Sequence, residues 1–174
     1  MKFIETELNG AYIICLDLLE DERGFFSRTF CRTEFAKLGL NPHLEQCNLS
    51  YNEKKGTLRG MHFQSAPNQE AKLVRCTHGA IYDVIIDLRV DSPSYKKWIS
   101  VELSHENGKM LYVPEGFAHG FQTLEDNTEV FYQMSHRFVP ESSKGLRWND
   151  PEFAIEWPSG DRIISFKDQQ YANF

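Results

Sequence analysis

The sequence predicts an all-β domain, a sandwich or a barrel, on three observations. Short runs of β-branched and aromatic residues follow one another from Thr57 onward, turn chemistry separates them, and no strong helical period lies between them. Aromatic residues make up 13% of the chain, with 13 Phe and 7 Tyr, and such rings fill barrels and binding slots. With 174 residues, 41% of them apolar, and no internal repeat, low-complexity tract or linker, the chain is expected to form one domain over residues 1–174.

Taken in order, residues 12–18 are apolar and β-branched and predict a strand, which the polar run Glu20-Asp21-Glu22-Arg23-Gly24 turns. Residues 25–30 resume as an aromatic strand. Residues 33–38 predict a short amphipathic helix, with Phe35 and Leu38 three apart and Gly39 to stop it. Strands are then expected at 57–64, 72–77, 80–89, 98–104, 109–113, 120–124 and 129–136. Ser65-Ala66-Pro67-Asn68, His78-Gly79, Asp91-Ser92-Pro93, Glu106-Asn107-Gly108 and Glu125-Asp126-Asn127 supply the turns between them. After Trp157 the chain reads as irregular, with one or two short helical turns.

The net charge of −6 argues against a general affinity for nucleic acid, although a local cluster of Arg and Lys can still hold a phosphate. Cys15, Cys31, Cys47 and Cys76 are scattered with no CxxC spacing, so neither a zinc knuckle nor a redox dithiol is supported. The N-terminus lacks the apolar stretch of a signal peptide, and no apolar run approaches the roughly 18 residues of a membrane span. A cytoplasmic protein with no membrane partner is the expectation.

The densest candidate site is Gly56-Thr57-Leu58-Arg59-Gly60-Met61-His62-Phe63-Gln64. Strict alternation would put Arg59 and His62 on opposite faces, so both reach one cavity only if Gly60 marks a bulge or twist. His62 alone has two readings, a hydrogen-bonded core residue or a catalyst. A second segment, Gly108-x5-Pro114-x-Gly116-x2-His119, resembles the second motif of cupins and so implies a double-stranded β-helix, the jelly-roll barrel. Pro114 and Gly116 would shape the turn that presents His119 inward. A metal-binding cupin needs a His-x-His pair and a nearby Glu. Here His62-Phe63-Gln64 stands in that place and no Glu follows until Glu70, so a site without metal is expected. Lys72 opens a strand at the cavity mouth, where an exposed strand-end lysine is the plain alternative. Arg23, beside Phe25-Phe26, reads equally as a phosphate contact or a solvated turn residue.

Several motifs then fall into one ordered pattern: Asp21-Glu-Arg23-Gly-Phe-Phe26, Gln46-Cys-Asn48, Leu58-Arg59-Gly60-Met61-His62-Phe-Gln64 and Lys72-Leu-Val-Arg75. Tyr82-Asp83-Val84, Asp87-Leu-Arg89, Asp91-Ser-Pro93, Pro114-Glu-Gly-Phe-Ala-His119-Gly120 and Arg147-Trp-Asn-Asp-Pro151 follow. From about Arg23 to Asp168 the chain resembles the dTDP-4-dehydrorhamnose 3,5-epimerase family. The resemblance implies a cupin barrel without cofactor or metal, a homodimer exchanging strands near the N-terminus, and a nucleotide-sugar substrate. It assigns His62 as base, Tyr132 as acid on the opposite sugar face, and Asp168 as the carboxylate that pairs with the histidine. Arg59, Lys72 and His119 would line the sugar and phosphate site, Gln46 and Asn48 would give polar contacts, and Arg23, Phe26 and Lys167 would face the nucleotide or phosphate.

The implied reaction explains these residue types. A hydrogen on carbon 3 or 5 is acidified by the ketone at carbon 4, and histidine is a base of suitable strength near neutral pH. Lys72 would meet the enolate oxygen, and Tyr132 would return a proton from the other face. Three positions depart from the commonest pattern: Arg28 stands where Glu is usual, Phe138 where a Tyr stacks on the base, and Ser143 where a Glu contacts ligand. They leave open dTDP against CDP and inversion of one carbon against two. A 3,4-ketoisomerase of the same substrate class and a non-catalytic sugar-binding cupin are the alternatives.

Overall fold

Most of the strands expected from the β-branched and aromatic runs are present, and their pairing folds them into two facing sheets. The computed structural model describes residues 1–174. Four short strands open the chain, β1 (Lys2–Glu5), β2 (Tyr12–Cys15), β3 (Leu19–Asp21) and β4 (Gly24–Phe26), and α1 (Arg32–Lys37) follows. The body consists of β5 (Gln46–Asn52), β6 (Thr57–Gln64), β7 (Lys72–His78), β8 (Ala80–Asp87), β9 (Trp98–Ser104), β10 (Met110–Val113), β11 (Phe117–Thr123) and β12 (Thr128–Met134). A 3-10 turn (Pro140–Ser142), β13 (Ser143–Gly145), β14 (Ile163–Ile164) and α2 (Phe166–Gln169) complete it.

The body strands pair antiparallel in a nest: β5 with β12, β6 with β11, β7 with β10, and β8 with β9. Folding that nest over gives sheets ordered β1-β2-β10-β7-β12-β5 and β13-β6-β11-β8-β9, with β14 added parallel to β6. This is the double-stranded β-helix that the second cupin motif implied.

Alternation along each strand sends one set of side chains between the sheets and the other outward. Val74, Ile81, Ile85, Leu111, Phe117, Phe121 and Val130 meet inside the barrel. Outside the β6–β11–β8 sheet, Leu58, Met61, Val84 and Ala118 are covered by Leu146, Phe153 and Trp157 of the C-terminal segment. Outside the other sheet, Ile14, Leu73 and Met110 are covered by Phe35 and Leu40. The side chain of the α1 N-cap residue Cys31 makes no capping hydrogen bond, so tertiary packing holds this helix. Phe35 is fully buried among the rings of Phe3, Phe30 and Tyr112, worth roughly 1.5–3 kcal/mol.

Three expectations change. Residues 25–30 do not form one strand: only Gly24–Phe26 is extended, paired with Leu19–Asp21 in a hairpin that joins neither large sheet. The strand expected at 120–124 begins at Phe117, because Pro114-Glu115-Gly116 turns the chain within three residues. Gln46–Asn52, where no strand was expected, forms an edge of the larger sheet.

Candidate active site

The barrel interior is apolar at one end and polar at the other, where residues of both sheets line a cavity of about 680 Å³. That size suits a small organic ligand. Gly60 determines which β6 side chains enter it. Opposite β6, His119 pairs with His62 and Phe121 with Arg59, so β6 spends three residues where β11 spends two. The extra residue is a bulge at Gly60, whose φ of 135° suits glycine. Leu58 and Met61 therefore both point outward, while Arg59 and His62 both line the cavity. Gly120 faces the bulge so closely that a Cβ on Gly60 would lie 2.5 Å from its Cα.

His62 is held by a residue far along the chain. Its Nε2 lies 2.8 Å from Asp168 Oδ1, and Asp168 Oδ2 accepts the Gly60 N–H at 3.3 Å. α2 brings Asp168 there, and Ser165 caps this short helix by accepting the Asp168 N–H. The Asp168 side chain is 6% exposed. Burial pushes its pKa up, but the His62 hydrogen bond and charge, the Gly60 N–H and the Ser165 side chain outweigh burial and hold it below the ordinary value. An ionised carboxylate accepts, so His62 Nε2 carries the proton and Nδ1 keeps its lone pair. The ring of Tyr171 meets the imidazole edge-on at 5.9 Å.

Tyr132 enters the same cavity from β12, in the sheet opposite His62. Burial raises its phenol pKa; the Arg59 charge opposes that rise and the Glu70 charge adds to it. Lys72 is 8% exposed, so the exposed strand-end alternative does not hold. Its Nζ lies 3.2 Å from Glu70 and reaches the His62 main-chain oxygen at 3.5 Å. His119 Nε2 lies 2.7 Å from Asp83, a carboxylate with 0% exposure. Arg59 Nε donates to Asn52 Oδ1 at 2.7 Å, which fixes the guanidinium on the wall.

The remaining candidates divide by position. Gln46, Asn48, Phe138, Ser143 and Lys167 all line the cavity. Gln46 links two of them, since its Nε2 donates to Asn48 Oδ1 at 3.2 Å and its Oε1 accepts the Phe138 N–H at 2.8 Å. Phe138 remains 52% exposed, with a face open for stacking. Arg23, Phe26 and Arg28 do not reach this cavity. Arg23 pairs with Asp21 and Arg28 with Glu34, and Phe26 stands 71% exposed on the hairpin. Sequence reasoning missed Glu70, Asp83 and Tyr171 as neighbours of the site. Asp83 had a readable signal, a lone carboxylate inside an apolar strand, since a buried charge needs a partner. No group of three or more His, Cys, Asp or Glu side chains gathers to hold a metal ion.

A jelly-roll barrel with an imidazole–carboxylate pair and a phenol lining one cavity from facing sheets is a cupin whose site is equipped for acid–base chemistry. The model of one family, dTDP-4-dehydrorhamnose 3,5-epimerase, matches residues 5–174, and the chain belongs to that family. The family's enzyme from Sinorhizobium fredii is 45% identical to it, over 94% of this chain and 89% of that one. The crystal structure of the dTDP-4-dehydrorhamnose 3,5-epimerase from Elizabethkingia anophelis superposes with a TM-score of 0.96 at 40% identity, covering 100% of this chain and 96% of that one. The enzyme of the same name from Bacillus anthracis, solved with TDP and PPi bound, gives 0.95 at 42% identity, with 99% of each chain covered.

Proposed function

We propose that this protein inverts carbons 3 and 5 of a dTDP-linked 4-keto-6-deoxyhexose by proton transfer. The observation that carries this reading is the opposition of two groups across one cavity, the His62–Asp168 pair on one sheet and Tyr132 on the other. His62 Nδ1 takes the proton from the carbon next to the ketone, and the electron pair moves onto the ketone oxygen as an enolate. Asp168 stabilises the imidazolium that forms. Lys72 donates to the enolate oxygen. Tyr132 then delivers its proton to the same carbon from the opposite face, the ketone re-forms, and the centre is inverted. Arg59 and Lys167 offer positive charge for the sugar and diphosphate, His119, Gln46, Asn48 and Ser143 offer polar contacts, and the Phe138 ring stacks on the base.

Arg23, Phe26 and Arg28 join the site in a homodimer, carried by the β3–β4 hairpin of the second copy. Its outstanding apolar residues Leu19, Phe25 and Phe26, each more than 60% exposed, support that placement. Sedimentation equilibrium tests it, and a monomer at assay concentrations would remove the partner's contribution. Four unpaired cysteines suit a reducing cytoplasm.

The reaction is tested in deuterated water with dTDP-4-keto-6-deoxyglucose, following label and configuration by NMR. His62→Ala should abolish exchange at both carbons. Tyr132→Phe should keep exchange, because the base remains, while inversion falls about 10²–10⁴-fold. Wild-type exchange rates in His62→Ala would remove His62 as the base.

A further inference from the structure

Glu70 is the carboxylate of the cavity wall that the reaction above leaves without a task. Its side chain is 4% exposed, and Oε1 lies 3.2 Å from Lys72 Nζ. Its other oxygen accepts no hydrogen bond. Glu70 thus bonds no main-chain group, and its single polar partner is a cavity lysine. Burying a carboxylate is costly, and an apolar side chain of similar size is often no worse for stability. A purely structural role is therefore a weak account of a charge placed here.

The geometry at Lys72 gives a better one. An ammonium has three N–H donors. The main-chain oxygen of His62 accepts one, at 3.5 Å, and the Glu70 carboxylate lies against the ammonium at 3.2 Å as an ion pair, which leaves N–H donors free for the cavity. We propose that Glu70 is a positioning residue for the epimerisation, holding the Lys72 ammonium by its charge so that a free N–H meets the ketone oxygen where the enolate charge collects. This rests on the epimerase reading given above. The same carboxylate acts on the acid. The charged or titratable groups that line the cavity with Tyr132 are Tyr51 from β5, Arg59 and His62 from β6, Glu70 and Lys72 beside one another, His119 from β11, and Lys167 and Asp168 from α2. Burial raises the phenol's pKa most; among these groups Arg59 lowers it and Glu70 raises it. Glu70 thereby supports a phenol that keeps its proton until the enolate needs it.

The test compares Glu70→Gln, Lys72→Met and the double variant in the deuterium-exchange and inversion assay, with folding checked by thermal melts. Glu70→Gln should lower kcat at least about tenfold, with KM little changed. Its alkaline limb should move to lower pH, since the charge that raised the phenol's pKa is gone. In the Lys72→Met background the Glu70→Gln change should add almost nothing to the loss of kcat at the optimum pH, because that part of its effect passes through Lys72, while the alkaline limb should still move to lower pH. Glu70→Asp keeps the charge but withdraws it by one methylene. It should lose kcat while holding the wild-type alkaline limb, and it serves if the Gln variant does not fold. A wild-type kcat and alkaline limb in Glu70→Gln, or fully additive losses in the double variant, overturn the proposal while the epimerase reading stands. A wild-type protein that exchanges no label overturns both.

Discussion

Replacing Asp168 with Asn should cost more activity than removing the side chain altogether. Oδ1 of Asp168 sits 2.8 Å from His62 Nε2 and Oδ2 accepts the Gly60 N–H at 3.3 Å. An Asn has one acceptor oxygen, and the Gly60 N–H can only donate. With that oxygen kept by Gly60, the new amide turns toward His62 Nε2, which must then accept. The ring proton moves to Nδ1, the nitrogen that should take a proton from the substrate. A base held in the wrong tautomer loses about 10²–10⁴ in kcat, or about 3–5 kcal/mol on the barrier. Asp168→Ala imposes no tautomer and should retain more activity. The assay is the rate of solvent-deuterium incorporation into dTDP-4-keto-6-deoxyglucose at saturating substrate, with melts to show that both variants fold. An Asn variant faster than the Ala variant, or within tenfold of wild type, refutes the tautomer account.

Two further predictions concern stability. Gly60→Ala places a Cβ 2.5 Å from Gly120 Cα at a φ of 135°, and should destabilise the fold by roughly 2–4 kcal/mol in urea titrations while displacing His62 and slowing exchange. Burial pushes the Asp87 pKa up, but Arg89, Ser92 and Ser94 bring it down from the ordinary 3.8 to about 2. Its folded value lies below its unfolded one, so its contribution, about 2 kcal/mol, is complete above about pH 4 and is lost as pH falls toward 2. Asp87→Asn should be less stable than wild type at pH 7, and denaturant midpoints should show the difference shrinking across that window.

Much of the barrel was legible because β7 to β12 carry short runs of β-branched and aromatic residues between Gly, Asn and Pro turns. Gln46–Asn52 was not, because it lines a polar cavity. Its more buried residues Gln46, Asn48 and Ser50 are hydrophilic, while Leu49 and Tyr51 are the exposed ones, which inverts the usual signal. Arg59 and His62 on one strand signalled the bulge, since only an extra residue at Gly60 could bring them together. Depth was harder to read. Lys72 and Glu70 look like a solvated pair in a polar loop, and only the fold of β7 against β12 buries them. The hairpin residues Arg23, Phe26 and Arg28 were read as site residues, yet nothing local in the chain indicates that they point away from their own cavity.

His62 and Tyr132 stand on different sheets, so the gap between them is a thickness of the molecule. Facing sheets lie about 10 Å apart, a spacing set by the side chains that interdigitate between them. The interior cluster against which Tyr132 packs, which includes Val74, Phe121 and Val130, therefore sets the gap that the proposed proton transfer would have to cross. Thinning that filling would act on turnover as well as on folding, at positions no substrate touches.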